Sequence, residues 1–358
     1  MLIFADMEKQ SYKVIGVMSG TSLDGIDLIY VHFSKDNTWQ FEVQNAQTIE
    51  YPDSWQKRLS QSMNLSQSAL EELNKEYTAY LAEVILAFIA DNEISDVDFV
   101  ASHGHTVFHQ PEAGYTLQIG NLPQIARYLN LKVVCDFRVD DVALGGQGAP
   151  LVPIGDALLF AQYDYCLNLG GFANVSFVER STRIAFDICA VNTVMNHLVI
   201  PLGIAYDKGG QIASGGSVHQ GLLNELQALP FYQKPYPKSL GMEWVKSEVF
   251  PIIEYYDLKV EDVLRTYVEH IALQLSAIFK PNTTVLASGG GAYNSFLMER
   301  TRELSSANIH IPDPEIVDFK EALIFGLLGV LKLENQVNCL SSITGASKDH
   351  SAGRVYQF

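Results

Sequence analysis

The chain has 358 residues, 47% hydrophobic and 18% charged, which gives ample material for packed cores and suits one large or two medium domains rather than a disordered segment. Its net charge of -17, from 24 basic against 41 acidic residues, argues against nucleic acid or an anionic membrane as partner. Phosphate ligands stay open, because backbone N–H groups and a bound cation hold them without a basic surface.

In chain order, the opening MLIFADMEKQ has too short an apolar run and no basic segment for a signal peptide. No later run reaches the ~20 apolar residues of a membrane helix, so a cytoplasmic protein is expected. A strand is predicted at KVIGVMSG (13–20), then a turn through Asp24 and Gly25, a strand at 27–33 and a third at 39–51. Residues 66–90 carry a helical period, with Leu70, Leu73, Tyr77, Leu81, Val84, Ile85 and Phe88 on one face. Strands follow at 98–104 and 132–137. The plan then restarts: strand 164–171, a glycine turn, strands 173–178 and 183–189, and a helix around 261–279. A strand at 284–291, a helix from Asn294, a short strand at 309–312 and a helix from about Lys320 to Leu333 complete it. This is an α/β pattern that reads as one plan used twice. The stretch 140–156, rich in Gly and Pro but poor in polar residues, is expected to be a structured connection. Cys135, Cys166, Cys189 and Cys339 are widely spaced in apolar contexts and read as buried free thiols.

Three glycine sites carry the candidate chemistry. GVMSGTSLDGIDL (16–28) turns a strand back through small and polar residues, a concavity suited to phosphate oxygens, with Asp24 and Asp27 available for Mg²⁺. An ordinary Asp-Gly hairpin is the competing reading. LNLGGFANVS (167–176) is the matching turn of the second half, and two such turns facing across a cleft would grip one polyphosphate. SGGGAYN (288–294) places Gly289, Gly290 and Gly291 between a strand end and a helix, where a flat or anionic ligand can approach the backbone. SHGHTVFH (102–109) holds three histidines, with His103 and His105 expected on the same side of a strand. No third ligand stands at zinc spacing, so a metal site is not expected there.

These blocks resemble the anhydro-N-acetylmuramic acid kinase family, of the sugar kinase, chaperone and actin ATPase superfamily. The resemblance runs from about Val14 to Tyr356 and includes MSGTSLDGID (18–27), SHGHTVFH, TLQIGN (116–121), DFRVDDVALGGQGAPLVPIGD (136–156), LNLGGFAN (167–174), FDICAVN (186–192), PKSLG (237–241), SGGGAYNSFLM (288–298), KEALIFGLL (320–328) and SITGAS (342–347). It implies two ribonuclease-H-like lobes with mixed five-stranded sheets in an actin/hexokinase-like fold, an N-terminal lobe over 1–138 and a C-terminal lobe with the adenosine site over 139–358. It implies that water opens an anhydro sugar, a peptidoglycan fragment, and that the freed primary oxygen takes the γ-phosphate of ATP.

By the same resemblance Asp187 and Glu321 are the catalytic carboxylates. Gly20, Thr21, Ser22, Leu23, Asp24, Gly25, Ile26, Asp27, Gly170, Gly171, Asn174, Gly289, Gly290 and Gly291 contact ATP, with Asp24 toward Mg²⁺. His103, Gly104, Arg138, Gln147 and Asn192 contact the sugar, and a homodimer is suggested. Other readings stand beside these roles: Asp187 as a helix cap, Glu321 as a solvated first-turn carboxylate, and Arg138 either on the sugar's lactyl carboxylate or paired with Asp140. The chain departs from the family pattern at His105, at Ile188-Cys189-Ala190 and at Asn196. A plain sugar kinase of the same fold and an actin- or chaperone-like nucleotide switch are the rival functions.

Overall fold

The computed structural model describes residues 11–20 and 23–358, which fall into two units, Met1–Leu159 with Phe319–Phe358, and Phe160–Asp318. The first holds strands β1 (Ser11–Ser19), β2 (Gly25–Lys35), β3 (Trp39–Glu50), β4 (Phe99–Gln110), β5 (Tyr115–Ile119) and β6 (Val133–Cys135). The second holds β7 (Tyr165–Leu169), β8 (Phe172–Glu179), β9 (Thr182–Ala190), β10 (Thr284–Ser288) and β11 (Asn308–His310), before β12 (Arg354–Tyr356) rejoins the first.

In the first sheet the order is β12-β6-β4-β1-β2-β3, with β5 paired to β4. β2 runs antiparallel to β1 and β3, whereas β1, β4 and β6 are parallel. The second sheet, β11-β10-β7-β8-β9, repeats that plan strand for strand: three antiparallel opening strands, then two parallel to the first. The duplicated α/β plan read from the sequence is therefore present, in the ribonuclease-H-like strand order. The expectation of five strands per sheet holds for the second unit only. The first sheet has seven, because β5 folds back on β4 and the short β12 pairs with β6.

Helices cover the sheets where their apolar faces allow. Helix α1 (Gln67–Asp91) buries Leu70, Leu73, Tyr77, Leu81, Val84, Ile85 and Phe88, the face the periodicity marked. The second unit carries α2 (Asn192–Val199), α3 (Val260–Ser276) and α4 (Ser295–Leu304), with α3 buried along Leu264, Tyr267, Val268, Ile271 and Leu275. Asn294 caps α4 by accepting the Leu297 N–H at 3.0 Å.

The last long helix, α5 (Pro314–Leu333), shows why the units do not divide at 138/139. A Cβ on Gly16 of β1 would sit 2.2 Å from the Ala322 carbonyl oxygen, so the absence of a side chain lets β1 and α5 touch backbone to backbone. Gly155 and Gly329 instead leave room for side chains, those of Ile324 and Phe99. These contacts tie 139–159 and the C-terminal segment to the first sheet. The 140–156 connection is ordered, with helices Val139–Ala143 and Val152–Leu159. All four cysteines are buried and free. No helix among the described residues is long and apolar enough to cross a membrane.

Candidate functional site

In the first unit, the candidate residues collect at the carboxyl ends of the parallel strands β1, β4 and β6, the edge where α/β sheets place ligands. β1 ends at Ser19, and the turn to β2 follows; Thr21 and Ser22 of that turn lie outside the described residues. Gly20 and Leu23 are half-buried, and Leu23 holds a positive φ of 62°. Asp24 is exposed and its Oδ1 accepts the Gly25 N–H at 3.0 Å, a local turn bond. Asp27 accepts the Thr48 hydroxyl at 2.6 Å across the β2–β3 pair. Gly25 is glycine for a packing reason, since a Cβ there would lie 2.7 Å from the Ile49 carbonyl oxygen. Ile26 is fully buried in the core, so only its backbone can face a ligand.

β4 carries SHGHT, and its pairing with β1 slips by one residue between Ser102 and His105. Gly104 supplies the bulge with φ 75°. This corrects the expectation that His103 and His105 share a side. His103 turns toward α5, with its ring 4.8 Å from that of Phe325. His105 turns toward α1, where its ring meets Tyr77 and its Nδ1 lies 3.3 Å from Ser19 Oγ.

Arg138 Nε donates to His103 Nε2 at 2.8 Å, and its Nη1 donates to the Gly148 carbonyl at 2.7 Å. His103 Nε2 must therefore be bare, so Nδ1 carries the proton and donates to the Gly104 carbonyl at 2.8 Å. Burial, then the Arg138 charge, hold the His103 pKa well below the usual histidine range, which agrees with a neutral ring. Burial also lowers Arg138 to about 10, opposed mainly by the negative charge of Glu321. The proposed Arg138–Asp140 pair is not the arrangement found: Asp140 pairs with Arg354 at 3.2 Å.

Glu321 is not a solvated first-turn carboxylate. α5 begins at Pro314, so Glu321 stands in its third turn beside the buried Lys320–Asp156 ion pair of 3.0 Å. Burial raises its pKa, offset by Arg138 and Lys320. Gln147 is exposed on the loop after Asp141, and its backbone N–H donates to the Thr344 carbonyl at 2.8 Å.

Sequence reasoning missed a buried hydroxyl cluster beneath this edge. Ser19 Oγ lies 2.6 Å from Tyr51 Oη, and Tyr77 Oη donates to Ser19 Oγ at 2.9 Å. The available signal was a tyrosine on the apolar face of the helix, because a buried phenol seeks a partner.

In the second unit, Gly170 and Gly171 make the β7–β8 turn, and their carbonyls accept N–H groups at the start of α2: Val191 at 2.8 Å, Asn192 at 3.3 Å and Thr193 at 3.2 Å. The first amides of α2 are thus consumed by the turn itself. Asn192 Nδ2 reaches the Leu169 carbonyl at 3.5 Å and lies 3.5 Å from where a Cβ on Gly291 would be. The structure therefore brings Gly170, Gly171, Asn192 and the glycines 289–291 together at the ends of parallel β7 and β10. Gly289 and Gly291 are required by contact with Asn168 and Leu169. Over Gly290 the space is open, with Asn192 Nδ2 at 4.0 Å.

Asp187 does not cap α2; Val191 holds that position without a side-chain bond. Asp187 instead sits on β9 directly opposite the exposed Asn174 of β8. Its N–H donates to the Lys238 carbonyl at 3.0 Å and its Oδ2 accepts the Leu240 N–H at 2.8 Å. Burial raises its pKa, and the Leu240 bond opposes the rise. The pairing slips at Ile188, so the bulge falls within the Ile188-Cys189-Ala190 departure and displaces the backbone just after Asp187.

Comparison with known proteins completes the picture. The family model described as anhydro-N-acetylmuramic acid kinase matches residues 12–358. The chain is 32% identical to the anhydro-N-acetylmuramic acid kinase of Actinobacillus pleuropneumoniae serotype 5b (strain L20), covering 98% of this chain and 100% of that one. It is 34% identical to the protein of that name in Vibrio vulnificus (strain CMCP6), covering 96% and 97%. Among solved structures, the activator of the 2-hydroxyisocaproyl-CoA dehydratase from Clostridium difficile with bound ADPNP aligns at TM-score 0.44 and 13% identity, over 90% of this chain and 96% of that one. A ROK family glucokinase from Streptomyces griseus, in complex with glucose and AMPPNP, aligns at 0.38 and 11%, over 90% and 98%. The assignment rests on the family model and the sequence relatives, not on these looser alignments. The chain belongs to the anhydro-N-acetylmuramic acid kinase family.

Proposed function

We propose that this chain uses ATP and water to convert 1,6-anhydro-N-acetylmuramic acid to N-acetylmuramic acid 6-phosphate, returning a peptidoglycan fragment to metabolism. The match to the family over residues 12–358 carries this reading. In the proposed step, Asp187 accepts a proton from water as the water oxygen attacks C1. The C1–O6 bond of the bridge breaks, and O6 attacks the γ-phosphorus of ATP. The bond to the β-phosphate oxygen breaks and ADP leaves; the proton passes from Asp187 to solvent. A base half-enclosed by protein, anchored through one oxygen and raised in pKa suits that task.

The other roles follow unit by unit. In the first, the 20–27 turn takes phosphate oxygens, and ATP enters as its magnesium complex. Asp24 is the carboxylate assigned to that ion, because it is exposed at the turn. Arg138, held in direction by His103 and Gly148, presents its charge to the sugar's lactyl carboxylate, with His103, Gly104 and Gln147 beside it. Glu321 balances the Arg138 charge and orients the sugar. In the second, Gly170, Gly171 and Asn174 take phosphate oxygens, Gly289–Gly291 take the adenosine, and Asn192 bonds the sugar.

The test compares ADP release with the anhydro sugar, with N-acetylmuramic acid and with no sugar. Release stimulated only by the anhydro sugar is expected. Equal use of N-acetylmuramic acid would point to a plain sugar kinase, and sugar-independent hydrolysis to a nucleotide switch.

A further inference from the structure

Three side chains able to hold a metal ion meet in the first unit, apart from the residues assigned above. Cys339 and His350 are partners in an antiparallel bridge, with backbone bonds of 3.1 and 3.2 Å between them, which sets their side chains next to each other. Asp141 approaches from the 139–143 helix and is fully buried. Cys339 Sγ lies 3.0 Å and His350 Nε2 lies 3.6 Å from Asp141 Oδ1, and the three ligand atoms all fall within 4.8 Å of one another.

His350 gives the second and independent observation. Its side chain is only 8% exposed, and its Nε2 is buried without a hydrogen-bond partner. Its Nδ1 lies 3.1 Å from the Lys348 carbonyl, which only accepts, so Nδ1 carries hydrogen, and Nε2 faces Asp141 and Cys339. That is how a metal-binding histidine is held: one nitrogen fixed on a carbonyl, the other free to coordinate. Left unmet, such a buried atom destabilises the fold.

We propose that Asp141, Cys339 and His350 bind one divalent cation of the zinc class, with a water in the fourth position. Bonds of about 2.3 Å to sulfur and 2.0 Å to nitrogen and oxygen, arranged tetrahedrally, require S···O near 3.5 Å and N···O near 3.3 Å. The separations of 3.0 and 3.6 Å need only a small opening between Cys339 and Asp141. A thiolate, a carboxylate and a neutral imidazole cancel the double charge, so the filled site adds no net charge to the interior. Thr344 Oγ1 and Gly148 N–H, each donating to Asp141 at 2.7 Å, hold that carboxylate in direction. The ion would thereby brace the 145–148 loop, whose Gly148 carbonyl also takes the Arg138 Nη1 bond.

The test is Co²⁺ titration of the metal-stripped full chain without nucleotide, followed by displacement with Zn²⁺. One Co²⁺ per chain is expected, with the intense near-ultraviolet band of a thiolate–cobalt bond, bleached by Zn²⁺. Cys339→Ser should lose the band and His350→Gln should bind at least tenfold more weakly, with circular dichroism confirming the fold. The absence of a thiolate band in the wild-type chain at saturating Co²⁺ overturns the proposal, whatever the variants do. So does a band that survives in folded Cys339→Ser.

Discussion

Replacing Asp187 by Asn separates catalysis from architecture more cleanly than any other change in this chain. Asn has the same shape, and its amide oxygen can still accept the Leu240 N–H now bonded at 2.8 Å. A bond to a neutral acceptor is weaker than one to a carboxylate by about 1 kcal/mol, but the variant also avoids burying a charge that the protein disfavours. The two effects oppose, so stability should change by less than about 1 kcal/mol, a shift of no more than roughly 2–4 °C in Tm. The chemical loss is larger. Removing a general base costs about 10²- to 10⁴-fold, or roughly 3–5 kcal/mol of barrier. Steady-state ADP release should show kcat reduced by that factor and KM for ATP nearly unchanged. A kcat within tenfold of wild type refutes the role of Asp187. A Tm lowered by more than ten degrees would show that the carboxylate is structural.

Gly16→Ala should destabilise the first unit by about 3 kcal/mol or more, read as a lower midpoint in urea, because the new methyl would meet the Ala322 carbonyl at 2.2 Å and push α5 away. Its kcat should fall as well, since Glu321 is the adjacent residue of that helix. Burial lowers the His105 pKa from 6.5 to about 4, so the ring is neutral in the fold; the stability this brings is present above pH 6.5 and lost as pH falls toward 4. The difference is worth roughly 3 kcal/mol at most, and in His105→Gln the urea midpoint should vary less between pH 7 and 4; an unaltered pH dependence contradicts the burial argument. Asn294→Ala should cost about 1 kcal/mol through the lost cap of α4, measured by thermal unfolding. Activity should lose its acid limb at a pH above 3.8, the ordinary carboxylate value, because burial raises Asp187 and the base must be ionised.

The repeated plan was legible because it is written in local patterns: alternation in the opening strands, glycine at the turns, and a helical period whose marked face is the one buried in α1. What was not legible depends on pairing across the chain. β12 has three residues and gains its place only by meeting β6, and β5 is recognisable only once β4 is extended to Gln110. The bulge at Gly104 could not be seen in SHGHT, since simple alternation puts His103 and His105 on one side. Asp187 was picked out by resemblance, yet its anchors at Lys238 and Leu240 lie some fifty residues away. Glycines carry a second demand that the sequence did not show: Gly25, Gly289 and Gly291 read as ligand contacts, and close packing against neighbouring residues separately requires each to lack a side chain.

The central claim is that one water molecule and one phosphoryl group enter the same sugar. The most direct measurement is mass spectrometry of the product after incubating the chain with ATP, Mg²⁺ and 1,6-anhydro-N-acetylmuramic acid in ¹⁸O-labelled water. The account predicts a sugar heavier by one phosphate and one labelled water, with the ¹⁸O on the anomeric carbon. A product that gains phosphate without water, or an unchanged sugar while ATP is consumed, would contradict it.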